Sequence, residues 1–240
     1  MDLTQTTHRP SAPWRPSAGL AFLQEATRTQ RLTGAIAPSS RRLATRLAVP
    51  LRERKPSNPA AILEVGAGTG TVTRALARLV GPADQLDVVE VNPSFVRILT
   101  ESMETDPDLS GAAPQIRLVP ESITDMHLAP HSYDVIVSCL PFANFEPDVV
   151  ESIFERYLSA LTPGGHLTYF RYLGTQVART VFSRRTEITR HRAVTAVMED
   201  FEHRYGVHRS TVWGNLPPAQ VQTLRAPAPR TTPPAPVATA

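Results

Sequence analysis

The chain predicts an α/β fold, doubly wound around a mostly parallel sheet of seven strands, and three observations carry that expectation. Strand-length apolar runs alternate with helical periodicity from residue 61 to about residue 172. The first run, Ala61-Ile62-Leu63-Glu64-Val65, feeds a glycine turn, Gly66-Ala67-Gly68-Thr69-Gly70, which opens a helix-like stretch from Val72 to Val80. The second run, Leu86 to Val89, ends on an acidic residue, Glu90, twenty residues after Gly70. A strand, glycine turn and helix followed by a strand with an acidic tip place a ligand beyond the carboxyl ends of the strands.

Taken in order, the pattern predicts strands at 61–65, 86–90, 115–119, 134–138 and 166–172, with helices at 70–80, 93–104 and 147–161. Two further strands, 207–213 and 220–225, flank Gly214-Asn215-Leu216-Pro217-Pro218 as a closing hairpin that supplies an antiparallel edge strand. Outside this plan, Gly19 to Leu32 carries Leu20, Phe22 and Leu23 beside Arg28 and Arg31, the pattern of an N-terminal amphipathic helix with basic flanks. Residues 176–205 read as a helical insertion before the hairpin, rich in arginine at 179, 184, 185, 190 and 192. The two ends are rich in Pro, Ala and Thr and have little to bury. The organisation is therefore a disordered tail at 1–17, an N-terminal helical cap facing membrane and substrate at 18–58, a cofactor-binding domain at 59–225, and a second tail at 226–240.

Composition narrows the class. A chain of 240 residues with 41% apolar content holds one medium domain with additions. The single cysteine, Cys139, excludes a disulfide framework and a cysteine-based zinc site. The His and acidic spacings imply no metal. No apolar run is long enough to span a bilayer, and Met1 to Ser17 lacks a signal-peptide core, so the expectation is a cytoplasmic protein. Net charge is unevenly spread: residues 1–60 carry ten Arg or Lys against three Asp or Glu (+7), and the remainder fifteen against nineteen (−4). That asymmetry points to a polyanionic partner for the N-terminal part, an anionic lipid surface or a nucleic acid.

The glycines let the backbone approach a ligand where a Cβ would collide, and a carboxylate at the tip of the next strand accepts both hydroxyls of a ribose. A nucleoside cofactor follows. Dinucleotide sites keep G-x-G-x-x-G so that a pyrophosphate sits on the helix dipole. Here the spacing is Gly66-Ala67-Gly68-Thr69-Gly70, and Glu64, two residues before the first glycine, suits a cationic amine better than a pyrophosphate. The string Glu64 to Gly70 resembles the cofactor motif of Rossmann-like class I methyltransferases that use S-adenosylmethionine. On that resemblance Glu64 lies near the methionine ammonium, Gly66, Ala67, Gly68 and Gly70 pack beneath the cofactor, and Glu90 with Val91 holds the ribose.

The strand end Ser138-Cys139-Leu140-Pro141-Phe142 stands where nitrogen-directed members keep an Asn/Asp-Pro-Pro-aromatic motif. In such a motif a rigid proline turn aims a backbone carbonyl at the amine, while an aromatic face meets the developing cationic charge. Leu140 offers the carbonyl and Phe142 the face. Cys139 reads as a packing residue, since no basic partner adjoins it. Gly34-Ala35-Ile36-Ala37-Pro38-Ser39-Ser40, the 138–142 block and Asn215-Leu216-Pro217-Pro218-Ala219 together look like three signature blocks of bacterial phospholipid and ornithine lipid N-methyltransferases.

That resemblance implies a peripheral membrane enzyme, on the inner face of the cell membrane, that methylates an aminolipid stepwise. It puts Ile36, Pro38, Ser39 and Ser40 at the cofactor mouth, Glu121 and Ser122 near the adenine, Ser138 beneath the cofactor and Tyr172 near the transferring methyl. Pro141 and Asn215 then shape the pocket; apart from the resemblance, the charge of the 176–205 stretch places Arg184 and Arg185 to face a lipid phosphate or carboxylate. Two departures stand out: Pro120-Glu121 replaces Gly-Asp, and Leu173 intervenes before Gly174. His166, Tyr172 and water are the candidates for taking the amine proton. The family shares its core with rRNA adenine dimethyltransferases, so an RNA-modifying enzyme is the alternative; no DNA partner is implied.

Overall fold

The computed structural model describes residues 40–54, 58–173, 185–215 and 217–228. The predicted helix at 19–32, the tail at 1–17, residues 229–240, Ile36, Pro38, Ser39 and Arg184 lie outside the described residues, whereas Ala226, expected in the second tail, is buried and exchanges backbone hydrogen bonds with Gly164 and Gly165. Two short helices, α1 (Arg41–Leu47) and α2 (Val49–Glu53), lead into the sheet. Ser40 caps α1 by accepting the Leu43 N–H at 3.2 Å, and Pro50 sits in the first turn of α2, where its missing donor costs nothing. The first half of the domain is β1 (Ala61–Val65), α3 (Thr71–Ala77), β2 (Gln85–Val89), α4 (Pro93–Thr105), the short α5 (Pro107–Ser110) and β3 (Ile116–Val119). The second half is β4 (Tyr133–Ser138), α6 (Pro147–Ala160), β5 (Leu161–Tyr172), α7 (Arg185–Tyr205), β6 (Gly206–Val212) and β7 (Ala219–Arg225).

The seven strands form one sheet in the order β3-β2-β1-β4-β5-β7-β6. Strands β1 to β5 pair in parallel, and β7 pairs antiparallel with both β5 and β6. The closing hairpin supplies the antiparallel edge as expected: β6 takes the edge, antiparallel to its neighbour β7, while β7 runs against β5 inside the sheet. Burial decides it, because β7 has apolar residues such as Val221 and Leu224 to hide while most of β6 is exposed, and an exposed polar strand is the safer edge.

Period-two alternation splits the core into two layers. Leu63, Val65, Ile136 and Leu167 face α6 and α7, meeting Ile153, Phe154, Val194 and Phe201. Ile62, Val88, Val135 and Val137 face the other way, onto Leu43 and Leu47 of α1, Val72 and Leu76 of α3 and Leu99 of α4. From β1 the chain winds outward through β2 to β3, then returns to lay β4 against the other side of β1. That reversal opens a crevice beyond the carboxyl ends of β1 and β4, the usual ligand position in doubly wound sheets.

Candidate active site

The crevice is built from the ends of four strands. It is lined by Val65, Gly66 and Gly68 after β1, Glu90, Val91 and Phe95 after β2, Glu121, Ser122 and Ile123 after β3, and Cys139, Leu140 and Pro141 after β4. Of the predicted cofactor contacts, Gly66, Gly68, Glu90, Val91, Glu121 and Ser122 therefore come together around one cleft, with Ala67 and Gly70 in the turn itself.

The turn has the backbone that glycine allows. Gly66, Gly68 and Gly70 all have positive φ, at 78°, 58° and 83°. A Cβ on Gly70 would lie 2.8 Å from Leu99 Cδ2, so this glycine is required by helix packing. A Cβ on Gly68 would meet nothing within 4 Å; it would project into free space at the cleft. Glu90 clamps the turn: one carboxylate oxygen accepts the Gly68 N–H at 2.8 Å and the other the Asn92 N–H at 2.8 Å. Burial raises the Glu90 pKa, partly offset by these amides, and each oxygen retains a lone pair for a ribose hydroxyl.

Glu64 is the unusual group. It is fully buried, and neither carboxyl oxygen has a hydrogen-bond partner, nor does the buried Thr73 hydroxyl. Burial pushes its pKa to about 8, with Thr73 pulling the other way and Glu90 adding to the rise. A buried carboxyl with Thr73 near it but no hydrogen bond at normal distance is costly. It fits a cationic ligand group, and with the glycine cradle and the Glu90 clamp it makes the cleft suitable for a nucleoside that carries an ammonium.

The mouth of the cleft differs from expectation in one residue. Pro141, at φ −79° and ψ 70°, forms an inverse γ-turn in which the Leu140 carbonyl accepts the Phe142 N–H at 2.9 Å. The carbonyl is thereby fixed and keeps one lone pair. Phe142, however, does not line the cleft. The 3₁₀ turn Phe142–Asn144 that follows Pro141 carries its ring into the core, where it is 3% exposed and packs on Phe154 and Tyr169 with centroids 5.0 and 5.9 Å away. Its expected role against the reacting nitrogen is withdrawn. Ser138 is likewise buried behind the cleft, its hydroxyl 3.3 Å from the Tyr157 hydroxyl. Cys139 lines the cleft, yet burial together with Glu64 and Glu90 holds its thiol well above the usual range, so it is inert as a nucleophile.

A second corner adjoins this one. The Ser40 N–H donates to Asn215 Oδ1 at 3.1 Å, and the Asn215 amide donates to the Pro217 carbonyl at 2.8 Å. Burial, then Cys139, raises the Tyr172 pKa to about 12, and Asn215 opposes the rise. Ser40, Tyr172 and Asn215 thus come together, and Cys139, itself raised by Glu64 and Glu90, raises Tyr172 in turn. His166 is corrected as a proton acceptor. It pairs with Val135 near the amino end of β4, six residues before Tyr172 on the same strand, on the order of 20 Å along the sheet. Arg185 begins α7.

Sequence reasoning missed three supports. Thr73 sits beside Glu64. Arg156 fixes the turn after Ser122 by donating to the carbonyls of Ile123, Thr124 and Met126. Arg74 ties the Thr69 carbonyl to Asp106. Helical spacing marks neither arginine as more than a solvated charge, because their partners are backbone carbonyls or lie about 30 residues away.

The glycine turn, the acidic strand tip and the sheet order define a class of protein, the S-adenosylmethionine-dependent methyltransferases of the class I fold. Residues 62–165 match the family model described as a methyltransferase domain, and the glycine turn and Glu90 clamp of the cleft fit the S-adenosylmethionine that methyltransferases of this fold use. Among curated proteins, an ornithine lipid N-methyltransferase of Singulisphaera acidiphila is 27% identical over 108 residues, 45% of this chain and 55% of the relative. A ubiquinone/menaquinone biosynthesis C-methyltransferase of Stutzerimonas stutzeri is 25% identical over 113 residues, 46% of this chain and 41% of the relative. The chain spans about half the length of these curated relatives. Among solved structures, the N-methyltransferase NodS of Bradyrhizobium japonicum, in complex with S-adenosyl-L-homocysteine, shares the fold at a TM-score of 0.55 and 20% identity, covering 86% of this chain and 98% of that one.

Proposed function

We propose that the chain is an N-methyltransferase whose acceptor is the primary amine of a membrane lipid headgroup, either ornithine lipid or phosphatidylethanolamine, methylated stepwise. The observation that carries this reading is the Leu140-Pro141 turn, which holds a backbone carbonyl at the cleft with one lone pair free. The likeness to an ornithine lipid N-methyltransferase supports it.

S-adenosylmethionine supplies an electrophilic methyl group on a sulfonium. The chain's residues do the rest by positioning. Gly66 and Gly68 leave room beneath the cofactor, Glu90 accepts the ribose hydroxyls, Glu64 pairs with the ammonium, and Glu121 and Ser122 border the adenine. The Leu140 carbonyl orients the acceptor N–H so that its lone pair points in line at the methyl carbon. Tyr172, with a pKa of about 12, is a neutral phenol at neutral pH. It orients the amine as a hydrogen-bonding group, and water takes the proton. Ser40, Pro141 and Asn215 shape the mouth, and Arg184 and Arg185 meet the lipid's phosphate or carboxylate.

The same edge of the molecule suits a membrane. Trp213, in the turn after β6, is 74% exposed beside the buried Asn215, and Arg41 and Arg42 are exposed at the start of α1. Tryptophan and arginine at one rim suit the headgroup level of an anionic bilayer. Among the described residues no helix is long and apolar enough to cross a membrane, and the reading is peripheral attachment, aided by the cap at 18–58. The test is transfer of a radiolabelled methyl group to ornithine lipid, phosphatidylethanolamine and ribosomal RNA side by side. Label in either lipid is expected, and label confined to RNA overturns the reading.

A further inference from the structure

A cavity of about 830 Å³ opens at the opposite end of the sheet. Its walls come from α1 and α2, from the residues just before β1, from the amino ends of β4 and β5, and from β6 and β7, and it shares no lining residue with the cofactor cleft. The five residues of β1 separate the two, on the order of 15 Å.

Its charge is lopsided. Arg46, Arg52, Arg54 and Arg225 line it against two carboxylates, Glu53 and Asp134. Both Asp134 oxygens are already occupied, by the Ala61 N–H and by the Thr162 hydroxyl, each at 3.0 Å. Arg54 is neutralised by Asp84 at 2.7 Å. Arg52 and Glu53 form only a loose, exposed pair at 3.6 Å. Arg46 and Arg225 make no ion pair among the described residues. Arg225 donates Nε to the Gly164 carbonyl at 3.2 Å, which fixes its guanidinium and leaves its terminal amino groups to spare. His166 registers the imbalance: its pKa is lowered by burial and then by Arg225, with Glu53 alone opposing.

We propose that this cavity is a second binding site that takes a phosphate-bearing ligand, held between Arg46 and Arg225 with the His166 and His208 rings as further donors. Guanidinium groups that line one cavity without ion-pair partners of their own match phosphate in charge and in donor geometry. The volume exceeds one phosphate and falls in the range of small-molecule sites. Val49, Val135 and Val221 give an organic body apolar walls. The ligand is a phosphate ester or diphosphate, from a soluble metabolite or from a lipid headgroup. This assignment does not depend on the acceptor proposed above.

The test is calorimetric titration of the full chain with inorganic pyrophosphate, glycerol 3-phosphate and a short-chain phosphatidate below its micelle concentration, with the His166 ring followed by NMR. Binding of at least one of the three is expected, with the His166 pKa moving up as the anion offsets Arg225. Preference for the phosphatidate points to a lipid source and preference for the soluble phosphates to a metabolite. Arg46→Gln, on an exposed helix position, is expected to weaken binding by at least about tenfold and to leave affinity for S-adenosylhomocysteine unchanged. Arg225→Gln adds a second reading, and Arg46→Gln alone suffices if that variant fails to fold. No binding and no His166 shift at about 10 mM, affinity on the weak side of typical small-molecule sites, overturns the proposal. So does binding indifferent to Arg46→Gln, or competition with S-adenosylhomocysteine, which would move the anion to the glycine turn.

Discussion

Glu64→Gln isolates the most consequential side chain of the cofactor cleft. The Glu64 pKa lies at about 8 in the folded, ligand-free protein against an ordinary 4.5, chiefly because the carboxyl is buried. A folded value above the unfolded one means that stability from this group is fully present below pH 4.5 and is lost as the pH rises toward 8. At 1.36 kcal/mol per pH unit the interval sets a ceiling of about 5 kcal/mol, of which about 3 kcal/mol is already lost by pH 7. Glutamine has nearly the same shape and cannot ionise. The expected result is that wild type and Glu64→Gln have similar urea midpoints at pH 5, and that the variant becomes progressively more stable up to pH 8.

The cofactor reverses the sign. To pair with an ammonium, Glu64 must ionise, so binding at pH 6–7 releases a proton that the variant cannot release. Wild-type affinity therefore rises with pH across this range. The variant loses a charge-assisted hydrogen bond of roughly 2–3 kcal/mol, about 30- to 150-fold in affinity. Calorimetry in buffers of different ionisation enthalpy counts the protons. A wild-type and variant stability difference that does not change between pH 5 and 8, together with equal proton release, refutes both the unpartnered state of Glu64 and its pairing with the cofactor.

Two other substitutions probe the same architecture. Gly68→Val projects its side chain into the cleft from a position where a Cβ meets no protein atom; it adds about 1–2 kcal/mol of left-handed backbone strain and is expected to abolish S-adenosylmethionine binding while the fold persists, with undiminished calorimetric affinity as the contrary result. Phe142→Ala deletes a ring from the cluster with Phe145, Phe154 and Tyr169 and is expected to destabilise the protein by about 3–5 kcal/mol in urea unfolding, whereas a loss below about 1 kcal/mol would return the ring to the cleft.

The cofactor half was legible because it is contiguous. Strand, glycine turn and helix follow one another between residues 61 and 77, and β1 begins and ends where apolar periodicity places it. Strand ends were less legible where glycine misleads. The strand expected at 166–172 is longer: β5 starts at Leu161 and runs through Pro163-Gly164-Gly165. Pairing of Leu161 with Tyr133 draws the segment into the sheet, and a register shift between Tyr133 and Val135 absorbs the positive φ of 81° at Gly164. The direction of the Phe142 ring was not legible at all, since it depends on one proline dihedral and the 3₁₀ turn that follows. Nor was the Ser40 to Asn215 contact, which joins residues 175 positions apart.

That last contact bears on what similarity to other proteins can say about the acceptor. The methyltransferase family match covers residues 62–165, which includes the glycine turn, Glu64, Glu90, Glu121 and the Leu140-Pro141 turn. Ser40, Tyr172, Trp213 and Asn215 all lie outside it. The matched segment therefore ends before the corner proposed for the acceptor, and Cys139 links the two, its pKa raised by Glu64 and Glu90 and itself raising that of Tyr172. Two relatives of nearly equal similarity whose names specify methylation of a lipid nitrogen and of a quinone carbon are what such a division produces. On the proposed reading, acceptor choice resides in the corner that α1, the end of β5 and the β6–β7 turn assemble. Exchanging those three segments, with residues 62–165 left intact, is the change that should redirect the enzyme without touching its cofactor.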